Sequence, residues 1–118
     1  MDNFTDEKSM DDLHSRINKI VKELLEKREL EIYGNLKVEV AEMDDLAVIK
    51  KNKIYINEKA SKYPENILKY IVAHELAHLA VKKHTKKFWE ILKCIYPEYE
   101  EAKKELQKLL KHEKLPIS

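Results

Sequence analysis

The chain has 118 residues, 43% hydrophobic and 38% charged, and its 23 Lys and Arg nearly cancel its 22 Asp and Glu. That length supports one modest core rather than two, and the balanced charge gives no overall field to recommend nucleic acid or an anionic membrane as partner. A lone cysteine, Cys94, cannot close an internal disulfide; with no secretory-type leader and no apolar run near the roughly 20 residues that span a bilayer, a reduced, cytoplasmic setting is expected.

Residues 1–9 are polar and aperiodic, which predicts a flexible start ahead of one domain over residues 10–114. Leu13, Ile17, Ile20, Val21, Leu24 and Leu25 then recur at three- and four-residue steps, predicting an amphipathic helix from residue 10 to 32, stopped by Gly34 and Asn35. Leu36, Val38 and Val40 alternate with Lys37 and Glu39, the period of a strand with one buried face. Two more apolar pieces, Leu46–Ile49 and Ile54–Ile56, flank Lys50–Lys53, where Asn52 can take the positive φ of a tight hairpin.

Pro64 suits the first turn of a helix, and Glu65 beside it complements the positive end of the dipole. From Ile67 to Leu79 this helix has almost no polar face apart from its histidines and Glu75, so it is expected to be central and buried. Thr85 is a candidate N-cap for a helix through Phe88, Trp89, Leu92 and Ile95 that ends before Pro97. Tyr99, Ala102, Leu106 and Leu109 mark a last amphipathic helix. The pattern is α+β: a small, mostly antiparallel sheet packed on a central helix, with helices before and after.

The central helix holds the chemistry, in the stretch HELAHLAVKKH at residues 74–84. His74 and His78 are four apart, so they leave one helix face about 40° from each other and can converge on one ion. Glu75 sits about 100° from His74, off the ligand line but within reach of a water at the ion's open position, where a general base belongs. Zinc held by three protein ligands keeps such a position for water and lowers its pKa toward about 7. Without a metal, two histidines and a glutamate on so apolar a helix would be costly to bury.

The third ligand is open at this level. On a continuous helix His84 would lie roughly 9 Å beyond His78 and out of reach. It can serve only if the chain leaves the helix between Ala80 and Lys83, and no glycine is present there to ease the turn. Thr85 as an N-cap implies that the helix has already ended. His84 is therefore favoured over Glu98, Glu100 and Glu101 in the helices that follow.

HELAHLAVKKHTKKFW resembles the zinc-binding segment of the YgjP-like metallopeptidases, relatives of the SprT-like zincins, with H-E-L-x-H, five residues, His, three residues and Phe-Trp. KIYINEKASKYPENILKYIVAHELAH before it and IYPEYEEAKKEL after it are similar too, so the likeness spans residues 53–110. It implies a zincin-like fold, amide-bond hydrolysis of a peptide or protein, His74, His78 and His84 as ligands of Zn2+, and Glu75 as the catalytic base. The family also suggests an alternative, hydrolysis of nucleoside triphosphates to monophosphates, and a non-catalytic zinc-stabilised binding module is a third class. MDDLAVIKKNK stands where family members carry a basic stretch with tryptophan and glycine. The spacing to His84 equals that of the metzincins, but Val81 replaces their glycine, and that group is not assigned.

Other residues have milder readings. Tyr96 or Tyr99 could offer a hydroxyl to an oxyanion, although such tyrosines are more often packing residues. His14 and His112 are expected in solvent, Cys94 in the core, and KKHTKK as a solvated rim. A strand edge at Lys53–Asn57 is the expected place for an extended peptide to add.

Overall fold

The computed structural model describes residues 5–27 and 36–113. In chain order these form α1 (Thr5–Lys27), β1 (Lys37–Ala41), β2 (Ala47–Lys50), β3 (Lys53–Asn57), a short 3-10 helix (Glu58–Lys62), α2 (Glu65–Ala80), α3 (Lys86–Ile95) and α4 (Tyr99–Glu113). The architecture is α+β. Helix α1 is described from Thr5 to Lys27, and residues 28–32 of the expected helix lie outside the described residues. Gly34 and Asn35 lie outside the described residues.

Apolar spacing explains the helices. Leu13, Ile17, Ile20, Val21 and Leu24 all face inward from α1 and join one core cluster with β-strand, α2, α3 and α4 residues. The inner end of that cluster is α2, in which every residue from Ile67 to Glu75 except Lys69 is buried, together with Leu76 and Ala77. A helix apolar all round can be stable only when covered on several sides, and the sheet, α1, α3 and α4 supply that cover.

The sheet is mixed rather than mostly antiparallel. Its order is β1-β3-β2: β2 pairs antiparallel with β3, while β1 pairs parallel with it, Val38 opposite Ile54 and Val40 opposite Ile56. Residues 42–46 carry the chain from β1 past a vacant strand position, and the hairpin returns β3 into that gap. β3 is thus central, and Lys53–Asn57 offers no edge. Among the described residues, β2 is paired on one side only and supplies the edge beside the hairpin.

Buried Asn57 fixes the crossing. Its Nδ2 donates to the carbonyls of Met43 (2.8 Å) and Asp45 (3.0 Å), and its Oδ1 accepts from the Lys59 amide (2.9 Å), capping the 3-10 helix. One amide side chain satisfies three backbone groups that the loop leaves over. Arg16 ties α1 to the same region by donating to the Ser61 and Tyr63 carbonyls at 3.1 and 2.9 Å. His14 is half-buried rather than solvated, its Nε2 donating to the Val38 carbonyl at 2.9 Å. Cys94 is exposed, not in the core. The side chain of His112 lies outside the described residues.

At the hairpin tip, Lys50 pairs with Lys53, so the loop has two residues. Lys51 takes the positive φ of 56°, whereas Asn52 keeps a negative one. That combination is the pattern of a type II′ turn, whose left-handed residue comes first.

Candidate metal centre

The local sequence ends α2 without a glycine. Val81 caps the helix in an extended conformation (φ −138°, ψ 117°), its amide still donating to the Ala77 carbonyl at 2.9 Å. The chain then turns through Lys82 and Lys83 to Thr85, whose Oγ1 accepts from the Phe88 amide at 3.4 Å and starts α3. His84 sits on this short return, between two helices rather than along one.

The return brings His84 back to α2. One ring nitrogen from each of His74, His78 and His84 lies within 4.8 Å of the others. Nε2 of His84 and Nε2 of His74 are 3.2 Å apart. Two imidazole nitrogens on one tetrahedral ion, each about 2.05 Å from it, stand about 3.3 Å apart, so the pair has the spacing that a shared ion requires. Glu98, Glu100 and Glu101 are exposed on or before α4 and are not part of this cluster.

The surroundings orient the rings. Nδ1 of His78 donates to the Val81 carbonyl at 3.2 Å, which fixes the proton on Nδ1 and leaves the Nε2 lone pair free. Nδ1 of His74 lies 3.1 Å from Glu75 Oε2. Two buried atoms then have no hydrogen-bond partner, His78 Nε2 and Glu75 Oε1. Orphaned groups of this kind are costly in an apolar setting, and the cost disappears if an ion and a water occupy the space beside them. The residues therefore fit a metal ion.

Phe88 packs under all three imidazoles, with ring centroids 4.6–5.2 Å away. Trp89 stacks on His84 at 6.0 Å, Tyr99 of α4 stacks on Trp89 at 5.9 Å, and Lys103 Nζ caps the indole at 4.0 Å. Tyr70, buried one turn before His74, continues the stack from Tyr99 at 6.4 Å. Tyr99 is thus a packing residue. Tyr96 is half-buried near Glu98, Glu101 and Glu105, and burial followed by those charges raises its pKa. Neither tyrosine lines the cavity described next.

Electrostatics follow from depth. Burial, aided by His78 and Lys103, pushes the His74 pKa down to about 3, so its ring stays neutral and able to ligate. Burial raises Glu75 to about 8, partly offset by His78. Beside Glu75, His78 and His84 opens a cavity of about 500 Å³. Val48 and Ile49 of β2 and Leu79 of α2 give it an apolar wall, and Lys51 and Lys82 stand on its lining.

Residues 2–109 match the model of the YgjP-like metallopeptidase domain. The chain belongs to that family. The match reaches well beyond residues 53–110, into α1 and β1. Among solved structures, the metallopeptidase zymogen of Pyrococcus abyssi abylysin is similar at 24% identity and a TM-score of 0.64, covering 83% of this chain and 99% of its own. That of Methanocaldococcus jannaschii jannalysin is similar at 26% identity and a TM-score of 0.65, covering 80% and 95%. No curated protein matches the chain. The family implies a metal ion, and the three-histidine group can hold one. No described helix is long and apolar enough to cross a membrane.

Three features were invisible at the sequence level. In the sequence Lys51 is part of a turn and Lys82 part of a charged rim, and nothing local says that two segments 31 positions apart share one cavity. Tyr70 carries no separate signal on so apolar a helix. Lys103, 14 positions beyond Trp89, carries no signal of the contact at all.

Proposed function

We propose that the protein is a zinc-dependent peptidase in which His74, His78 and His84 hold the ion and Glu75 is the general base. The observation that carries the reading is the convergence of three imidazole nitrogens within 4.8 Å next to the unpartnered Oε1 of Glu75. When bound, zinc polarises the substrate carbonyl and an attacking water, and its charge favours the ionised form of the neighbouring carboxyl. Glu75 takes the proton from that water and passes it to the leaving amine. Burial of the carboxylate excludes competing solvent, and Oε1 has no protein partner to compete for that proton. An extended peptide adds to the free edge of β2, with side chains against Val48 and Ile49, instead of to β3, which is already paired on both sides.

Glu75→Gln tests the assignment. The variant should keep about one zinc per chain by elemental analysis and lose peptide cleavage by at least a hundredfold. Undiminished cleavage would remove Glu75 from the mechanism. Pyrophosphate release from a nucleotide panel, with no cleavage of any peptide, would replace the peptidase reading by nucleotide hydrolysis.

A further inference from the structure

We propose that Lys51 and Lys82 form a carboxylate-reading subsite on the cavity beside the histidine cluster, so that the preferred substrate carries an acidic side chain or a free C-terminal carboxylate next to the bond attacked. The inference rests on the peptidase reading and adds a substrate class to it.

The first observation is placement. Lys51 comes from the β2–β3 hairpin and Lys82 from the return after α2, and both line the same cavity as Glu75, His78 and His84. Glu75 is the one acidic residue on that lining, and the remaining wall is apolar. Neither lysine has an ion-pair partner among the described residues, whereas Lys53, two positions along the hairpin, is engaged by Glu39 at 3.1 Å. Two lysines without a carboxylate partner among the described residues thus stand on this lining, and a carboxylate is the peptide group that matches their charge.

The second observation is the backbone at Lys51. The first central position of a two-residue hairpin loop requires positive φ, which glycine adopts freely and a residue with a Cβ adopts only against steric repulsion. Lysine occupies it at φ 56°. A side chain there brings no advantage to the turn; its advantage lies in the cavity it lines. Turn geometry and substrate recognition therefore make opposite demands at one position, and separating them is experimentally simple.

Zinc-loaded wild type, Lys51→Gly, Lys82→Gln and the double variant are each offered three peptides of common sequence. One carries a glutamate and an amidated C-terminus, the second glutamine in its place with the same amide, and the third glutamine with a free C-terminus. Binding is read by calorimetry and cleavage by mass spectrometry, with the glutamate moved through each position of the peptide. Wild type should bind at least one carboxylate peptide about fivefold or more tightly than the neutral one, the upper range for an exposed charge pair acting through each lysine. The preference should shrink as salt is raised, fall in each single variant and vanish in the double variant. Lys51→Gly should at the same time melt at a higher temperature than wild type, which separates lost recognition from lost fold. The peptide that gains identifies the source of the carboxylate as side chain or terminus. Equal binding of all three peptides overturns the subsite. So does a preference that survives in the double variant, since the carboxylate would then rest on the metal. A lysine-dependent preference without cleavage of any peptide leaves the subsite standing and removes the peptidase reading.

Discussion

His74 and Glu75 are adjacent, both buried, and shifted by burial in opposite directions, one to about 3 and the other to about 8. Each shift is a statement about stability in the metal-free protein. Folded Glu75 keeps a proton that the unfolded chain releases above its ordinary 4.5, so its contribution is present at low pH and is lost as pH rises toward about 8. Folded His74 refuses a proton that the unfolded chain accepts below 6.5, so its contribution is present above that pH and is lost as pH falls toward about 3. From 4.5 to 6.5 the two slopes oppose each other and cancel. Melting curves of protein treated with EDTA should therefore decline above pH 6.5 through Glu75 and below pH 4.5 through His74, by at most about 1.4 kcal/mol per pH unit for each group, with His84, whose pKa burial also lowers, adding to the loss on the acid side. Glu75→Gln should flatten the alkaline decline and leave the acid one. An alkaline limb unchanged in that variant would assign it to another group.

At the scale of elements, the decisive event is where α2 stops. In the sequence, His84 can join the pair only if the chain leaves the helix line; Thr85 as a cap favours that, and the missing glycine counts against it. The structure resolves the conflict through Val81: an extended exit needs no left-handed residue, and a β-branched side chain favours it. The Thr85 cap then holds the return in place. Thr85→Ala should cost about 1 kcal/mol of stability, a usual loss for an N-cap. It should also weaken zinc binding, because His84 is the residue immediately before the cap; Thr85→Ser should restore both, as read by melting temperature and metal titration. Loss of stability with unaltered zinc affinity would show that α3 holds His84 by its aromatic contacts alone. The contact of Lys103 on Trp89 could not have been anticipated, since no periodicity relates α4 to α3.

Across the whole molecule, what was legible was what a local period encodes: Leu13 to Leu24 as an inward stripe, Leu36 to Val40 as a strand, and α2 as a buried core helix. Strand order was not, because a parallel β1–β3 pair depends on a crossing held by buried Asn57, a residue that looks like any loop polar group in the sequence. Cys94 and His14 erred in opposite ways for a similar reason, as helix phase near an element's edge does not tell which neighbour covers it. The histidine site joins both kinds of information: the i, i+4 pair is local, and His84 arrives by tertiary structure. That division has a thermodynamic consequence. Three imidazoles from α2 and the return loop converge only in the folded chain, so an ion that binds them stabilises the fold by RT ln(1 + [M]/Kd), about 2.7 kcal/mol at a free concentration one hundred times Kd. Zinc added to metal-free wild type should raise the melting temperature progressively. His84→Ala should lose most of that rise, while Cys94→Ser should keep it, because the exposed thiol lies outside the trio. A rise of equal size in His84→Ala would mean that the ion is held by another set of residues, and the convergence of the three rings would then be packing around Phe88 rather than a metal centre.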